Sequence, residues 1–183
     1  ESNVAFTDSL RGRVTFGWVD GELDNGQQDT FETFPTFAPD GDLSGNNLLR
    51  QPEILFSTSL DYEHALFDGW EWYIGGDANY QSEVYVGNEN QGWLPEHTYV
   101  NTRLGFRNER YKVEFWTRNL FNDDNATAAF RDIYWTNTPD LAAANEPPTS
   151  TLADFPVLRL TVNQPRLRTF GLTARVRFGG AVF

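Results

Sequence analysis

A strict alternation of apolar and polar residues most limits what this chain can fold into. In the stretch from Arg168 to Phe178, every second residue is apolar, and polar residues such as Thr173 and Arg175 stand between them. A period of two residues is that of a β-strand, whose successive side chains point to opposite faces of a sheet. The stretch therefore predicts a strand with one apolar face and one polar face.

The same alternation returns along the chain and predicts an all-β fold. One short strand and six long ones are expected, at Glu1 to Phe6, Leu10 to Trp18, Ile54 to Glu63, Trp70 to Val86, Val100 to Phe106, Tyr111 to Arg118 and Arg168 to Phe178. Composition agrees with this class, because aromatic residues make up 15% of the chain and favour strands. No stretch reaches the roughly 20 apolar residues that a membrane-spanning helix requires.

The connections between these strands alternate between short and long. Tight turns are expected at residues 7–9, 67–69 and 107–110, and long links at about 19–50, 86–97 and 121–165. Outer-membrane β-barrels have this hairpin pattern, with brief turns on one side and extended loops on the other. Aromatic residues near the short turns match the interfacial girdle of such barrels: Phe6, Phe67, Trp70, Trp72, Phe106, Tyr111 and Phe178.

Charge and side-chain chemistry exclude several function classes. The formal net charge of −12 argues against a nucleic-acid partner, which needs a basic surface. His64 and His97 are the only histidines, and neither has Cys or metal-ligand spacing around it. Motifs for a nucleophile or a phosphate-binding loop are also missing. The chain is therefore expected to be no enzyme and to bind no cofactor.

One segment matches the opening of an EF-hand calcium loop. Asp40, Asp42 and Ser44 have the spacing of the first three ligands, and Gly45 has the place of the invariant glycine. The twelfth position is Gln51, whereas a bidentate Glu completes such a site. A solvated turn is the favoured interpretation, and a calcium site is the alternative.

Three motifs together resemble the C-terminal half-barrel of TonB-dependent outer-membrane receptors. A loop-to-strand passage runs from Ser44 to Pro52, an "N-L-F/Y-D/N" motif follows at 119–123, and a final strand opens with "P-R" and continues to an aromatic residue. The residues that carry the last two motifs are Asn119, Leu120, Phe121, Arg166, Phe170, Gly171 and Phe178. Phe183, out of phase with Phe178, is a second candidate for the terminal signal for barrel assembly.

The resemblance implies an antiparallel up-and-down transmembrane β-barrel in the outer membrane of Gram-negative bacteria. Residues 1–183 would supply about seven C-terminal strands of a barrel with about 22, and the plug domain would lie outside them. Because the chain begins at Glu1 and contains no Met, it is expected to be a mature product, an excerpt or a fragment. The implied function is import of a scarce nutrient, most often a ferric siderophore, with TonB, the plug, the rest of the barrel and outer-membrane lipid as partners.

Aromatic residues in the long links are the candidates for ligand binding. Such side chains can stack on a siderophore ring or a sugar face, and binding residues are commonly placed on loops. The candidates are Phe31, Phe34, Phe37, Trp93, Tyr134 and Trp135. The alternative is that these aromatics hold the loops to one another.

Two other functions remain open at the level of sequence. An aromatic-rich, soluble β-sandwich that binds carbohydrate would show the same alternation, because its apolar face packs inward. A small outer-membrane barrel, complete in itself, would show it as well. The length of the predicted strands and the charges of both signs on their polar face favour the receptor barrel.

Overall fold

Strands dominate the computed structural model of the protein, which describes residues 1–26, 42–131 and 160–178. The strands are β1 (Ser2–Ala5), β2 (Leu10–Trp18), β3 (Ile54–Ala65), β4 (Glu71–Gln81), β5 (Val84–Tyr85), β6 (Trp93–Leu94), β7 (His97–Arg107), β8 (Tyr111–Arg118), β9 (Ala129–Arg131), β10 (Leu160–Val162) and β11 (Thr169–Val176). Within the described ranges, no helix is long and apolar enough to cross a membrane.

Seven strands form one antiparallel sheet in the order β1-β2-β3-β4-β7-β8-β11. Each strand expected from the alternation lies in this sheet, apart from the far end of the one expected from Trp70 to Val86, so the predicted all-β class and the predicted order of hairpins are confirmed. The sheet is open, with β1 and β11 as its edges. It is not closed into a barrel.

The predicted strand from Trp70 to Val86 is wrong at its far end. β4 stops at Gln81, and Ser82 makes the last backbone contact with β3, where its N–H donates to the Ile54 carbonyl at 3.0 Å. The chain then leaves the sheet, and β5 pairs with β6 in a separate two-stranded sheet. Alternation continues through this break because both sheets need a period of two, so the pattern alone could not place the boundary.

The strand pairing puts apolar side chains on one face of the sheet. One row crosses six strands as direct neighbours and consists of Leu10, Tyr62, Ile74, Leu104, Phe115 and Leu172. Its apolar members are not covered, since Phe115 is 49% exposed and Leu172 is 71% exposed. No described part of the chain packs a second layer on this face, as a sandwich would require.

The direction of the strands limits how the sheet can close. Neighbouring strands run in opposite directions, so β1 and β11, the first and the seventh in the sheet, run the same way. An antiparallel barrel needs edge strands that run in opposite directions. This sheet therefore cannot close on itself as an antiparallel barrel, and an odd number of further strands would be required.

The apolar core of the described residues lies at one end of the sheet rather than on its apolar face. This end, from which the three long links leave, is called the loop end, and the opposite end is the short-turn end. At the loop end, the hairpin of β5 and β6 meets the hairpin of β9 and β10. The buried cluster contains Val84, Val86, Leu94 and Ala129, with Ala126 and Leu160 packed against it.

Candidate functional site

The first long link continues the hairpin of β2 and β3 beyond the sheet. The Val19 N–H donates to the Glu53 carbonyl at 2.9 Å, and the Leu23 N–H donates to the Asn46 carbonyl at 2.8 Å. Between them, Glu22 and Asn47 form an isolated antiparallel bridge. The described parts of this link, 19–26 and 42–53, are therefore an ordered extension of the sheet.

Amide side chains connect the first link to the second, which runs from 82 to 96. Asn90 accepts from the Asn47 N–H through Oδ1 at 2.6 Å and donates to the Asn47 carbonyl through Nδ2 at 3.1 Å. Asn46 adds a bond from Nδ2 to the Asn88 carbonyl at 2.8 Å. A paired donor and acceptor on one amide fixes both the distance and the direction between two backbones, so the two links are held in one relative position.

The second link is joined to the third through the buried apolar cluster. Val84 and Leu94 are neighbours across β5 and β6, and Ala129 of β9 is buried with them. Asn125 adds a hydrogen bond from Nδ2 to the Glu96 carbonyl at 2.9 Å. The described parts of the three links thus form one continuous structure, called here the loop platform: 19–26, 42–53, 82–96, 119–131 and 160–168.

Asn119 holds the base of the third link closed. Its side chain is almost completely buried, and its Nδ2 donates to the carbonyls of Asp123, at 2.8 Å, and of Arg166, at 2.9 Å. Its Oδ1 accepts from the Asp123 N–H at 2.9 Å. Residues 119 and 166 are where the link leaves β8 and returns to β11, so one amide joins the two ends of a link of more than forty residues.

The following residues of the same motif extend this connection to the neighbouring strands. Asn122 accepts from the Arg168 N–H through Oδ1 at 2.9 Å, which aligns the start of β11. Asp123 accepts from the Thr98 N–H through Oδ2 at 2.6 Å, which ties the motif to β7. The motif 119–123, singled out from the sequence for its resemblance, is therefore a joint between β7, β8 and β11.

The other residues of the predicted motifs have different surroundings. The Arg166 carbonyl accepts from Asn119, whereas Phe121 is 72% exposed at the platform surface. Gly171 lies against the indole of Trp116, whose Cζ2 atom would be 2.5 Å from an added Cβ. Phe178 is exposed at the short-turn end, and Phe183 lies outside the described residues.

Among the predicted ligand-binding aromatics, Trp93 is the one in the described part of the chain. It lies on β6 beside Tyr85, on the side of the hairpin opposite to the buried pair Val84 and Leu94, and is 57% exposed. Phe31, Phe34, Phe37, Tyr134 and Trp135 lie outside the described residues. An exposed aromatic that the sequence analysis missed is Phe130 on β9, for which the only sequence signal was its position in a long link.

The segment that matches the opening of a calcium loop is a turn where the structure describes it, which is the interpretation favoured from the sequence. Asp42 Oδ1 accepts from the Ser44 N–H at 2.9 Å and from the Ser44 hydroxyl at 2.6 Å. These two bonds stabilise the ionised carboxyl and lower the pKa of Asp42. Asp40 lies outside the described residues. The described residues contain no group of three or more side chains that could hold a metal ion.

Charged side chains on the polar face of the sheet form one network near the short-turn end. This polar-face network consists of Arg11, Asp61, Glu63, Glu71, Arg103, Arg107, Lys112 and Glu114. The guanidinium group of Arg107 contacts two other strands. Its Nε donates to Glu71 of β4 at 2.5 Å, and its Nη2 donates to Glu63 of β3 at 2.8 Å. Four cations and four carboxylates balance one another. Being partly exposed, each pair contributes little energy alone.

Two glycines leave the space that this network needs. An added Cβ at Gly105 would be 2.6 Å from Tyr73 Cζ and 2.7 Å from the Val113 carbonyl oxygen. Tyr73 therefore lies flat across Gly105, and its hydroxyl donates to Glu114 at 2.7 Å. An added Cβ at Gly75 would collide with the side chain of Asp61, the partner of Arg103. Glycines that let an aromatic or charged side chain cross the strand are common where a sheet is curved.

An open groove of about 640 Å³ lies on the polar face, between the network and the loop platform. Asp77 and Asn101 line one side, joined by a hydrogen bond of 2.8 Å, and Trp116 and Arg118 line the other. Arg118 lies over the Trp116 ring at 5.1 Å. The lining of the groove is mostly polar.

Comparisons with known proteins place the fold beside a receptor of known structure. Neither the models of known protein families nor the sequences of characterised proteins match the chain. Among solved structures, it is similar to BauA, the ferric preacinetobactin receptor from Acinetobacter baumannii, with a TM-score of 0.51 and 15% sequence identity. The match covers 94% of this chain and 20% of that receptor, so this chain spans about one fifth of its length. At this identity the likeness concerns the fold.

Proposed function

We propose that the chain forms part of the wall of a TonB-dependent outer-membrane receptor that imports a ferric siderophore. The observation that carries the proposal is a seven-stranded antiparallel sheet with an uncovered apolar face and a charged polar face. In an outer-membrane barrel, the apolar face meets lipid and the polar face lines the lumen. The likeness in fold to a siderophore receptor supports the same assignment.

In this proposal the loop platform faces the outside of the cell and takes part in ligand capture. Trp93 offers an exposed ring on a hairpin that a buried cluster holds in place. A ring held on a rigid support loses little entropy when a planar ligand stacks on it. The plug, the remaining strands and the contact with TonB belong to parts of the receptor outside these 183 residues, and the chain itself has no catalytic role.

Uptake and binding test the proposal. A Gram-negative host without its own siderophore receptors would carry the full-length protein and receive one ferric siderophore at a time as its iron source. We expect growth on at least one of them, and a loss of binding by about tenfold for Trp93→Ala, which removes one stacked ring. Phe67→Ala is the control, because Phe67 is also an exposed aromatic residue but lies at the short-turn end.

The soluble carbohydrate-binding sandwich is the second candidate, and the physical state of the protein separates it from the receptor. A protein with this uncovered apolar face should require detergent to remain monodisperse. Folded, monodisperse protein in plain buffer, or growth that is indifferent to every ferric siderophore supplied, would contradict the receptor proposal.

A further inference from the structure

Asn25 is the one asparagine of this sequence that a glycine follows. The pair lies on the first long link, in a bend beyond the isolated bridge of Glu22 and Asn47. In such a pair the backbone nitrogen of the glycine can attack the side-chain amide carbon of the asparagine, because no Cβ of the glycine hinders the approach. The pair is therefore a candidate for spontaneous deamidation, a covalent change that needs only water.

The side chain of Asn25 is held more loosely than the asparagines that join the long links. Asn25 is exposed, and its Nδ2 contacts Asp24 Oδ2 at 3.4 Å, which is long for a hydrogen bond. Asn90 and Asn119, by contrast, are each fixed by several bonds to backbone groups of other segments. The amide carbon of Asn25 is therefore free to turn toward Gly26.

The attacking atom, the backbone nitrogen of Gly26, is also available. Its N–H donates to no acceptor in the part of the chain that the structure describes, although the Gly26 carbonyl accepts from the Leu43 N–H at 2.9 Å. A peptide N–H that is bonded within a sheet must break that bond before its nitrogen can react. Gly26 has no such bond to break, so both reacting groups are accessible in the folded chain.

We propose that Asn25 is a deamidation site, at which the loop platform is covalently modified after folding. The Gly26 nitrogen loses its proton to solvent base and bonds to Asn25 Cγ, and the Cγ–Nδ2 bond breaks with release of ammonia. Water then opens the resulting succinimide at either carbonyl carbon, which gives aspartate or isoaspartate. The modification does not depend on siderophore import, so the two proposals can fail separately.

Isoaspartate changes the first link at the described backbone bond that lies farthest from the sheet. It inserts a methylene group into the main chain directly before Gly26. Leu43 is 4% exposed and packs so closely on Gly26 that an added Cβ would be 2.8 Å from the Leu43 Cβ. A longer backbone displaces Gly26 from this contact and from its bond with the Leu43 N–H. Aspartate, the other product, adds a charge and leaves the backbone unchanged.

Incubation of the folded full-length protein at mildly alkaline pH, followed by peptide mapping, tests the proposal. Mass spectrometry detects replacement of the amide NH2 by OH, and an isoaspartyl methyltransferase labels the isoaspartate. We expect Asn25 to convert at least about tenfold faster than Asn88, which is also exposed on the platform but precedes Glu89, whose Cβ hinders ring closure. A synthetic peptide of residues 22–28 is the unfolded reference. Folded Asn25 should convert within about threefold of its rate, because no native hydrogen bond of Gly26 N–H has to open first.

Amide hydrogen exchange measures the structural effect. Protein that has formed isoaspartate should exchange faster at Leu43 and Gly45 than fresh protein. Asn25→Asp adds the charge without lengthening the backbone, so it should keep the slow exchange of fresh protein. Asn25→Gln, which closes a ring far more slowly, should stay unmodified through the same incubation.

Three results would overturn the proposal. The first is an Asn25 that stays intact in the folded protein while the peptide converts. The second is equal conversion of Asn25 and Asn88. The third is unchanged exchange at Leu43 and Gly45 after isoaspartate has formed. Failure of siderophore uptake with normal conversion of Asn25 would count against the proposed function alone.

Discussion

At the scale of single residues, Asn119 and Gly105 each hold a position that few other residue types could fill. Asn119 has a backbone φ of 51°, in the left-handed region that Asn tolerates better than most residues. The two N–H donors of its side-chain amide and the amide oxygen all form hydrogen bonds. Gly105 acts by the side chain that it lacks, since Tyr73 occupies that space.

Asn119→Ala should destabilise the fold by roughly 1–3 kcal/mol, because it leaves partly buried carbonyl and N–H groups of Asp123 and Arg166 without their partner. The measurement is chemical unfolding in detergent, followed by circular dichroism. Phe121→Ala, in the same motif but exposed, should change the free energy of unfolding by no more than about 0.5 kcal/mol. Equal effects of the two substitutions would show that the joint at 119–123 does not depend on the Asn119 amide.

Gly105→Ala should destabilise the sheet by roughly 1–3 kcal/mol, because the new Cβ would displace Tyr73 from its contact with Glu114. Gly17→Ala is the matched control, since its nearest neighbour would be Leu55 Cβ at an ordinary 3.8 Å. Unfolding in denaturant would compare both variants with the parent. A neutral Gly105→Ala would mean that Tyr73 can turn aside without cost.

At the scale of elements, the loop platform has a buried core that the sheet lacks. β5 and β9 belong to different links, and their buried residues contact one another rather than the seven-stranded sheet. Within the platform, Asn46 and Asn47 donate to Asn88 and Asn90 and so join the extension of β2 and β3 to the second link. The described parts of the long links therefore form one folded unit.

Leu94→Ala should loosen the platform and leave the sheet intact, because truncating a buried leucine costs about 2–5 kcal/mol locally. Amide hydrogen exchange should accelerate at residues 84–94 and 126–131 and stay slow in β3 and β4. The neighbouring Trp93→Ala should leave exchange unchanged, since that side chain is exposed. A uniform acceleration in Leu94→Ala would mean that the platform and the sheet unfold together.

At the scale of the whole molecule, the two faces of the sheet have opposite character. The uncovered apolar face includes Leu60 and Phe115, and the polar face carries the charge network and the groove. The parallel orientation of β1 and β11 excludes closure of these strands alone into an antiparallel barrel. The proposal of a receptor wall accounts for both the faces and the edges with one arrangement.

Leu60→Arg should make the free energy of folding into lipid vesicles less favourable by roughly 2–4 kcal/mol. This is the cost of a lipid-facing arginine near the middle of a membrane strand. Ser57→Arg, on the polar face of the same strand, should fold nearly as well as the parent, because a lumen admits charge. The yield of protease-resistant protein in vesicles measures both. Equal tolerance of the two substitutions would argue that neither face meets lipid.

The amino-acid sequence by itself determined the seven strands of the large sheet, their faces and their order. Alternation such as that from Leu10 to Trp18 has a period of two residues, which is the period of a strand. A short turn such as Asp68-Gly69 makes the two strands on either side of it pair with each other as a hairpin. Alternation and tight turns depend on residues that are close in the chain, so the local sequence is enough to predict them. The motif at 119–123 was also visible, but its role as a joint was not.

Only the tertiary structure decided where β4 ends, how the long links join and what Asn119 holds. Each depends on residues far apart in the chain, as in the bonds from Asn119 to Arg166 and from Asn90 to Asn47. The period and the composition of a sequence do not identify such partners, because an asparagine in a turn cannot be distinguished by sequence from an asparagine that joins two loops. The fold therefore followed from local pattern, and the candidate site followed from long-range contacts.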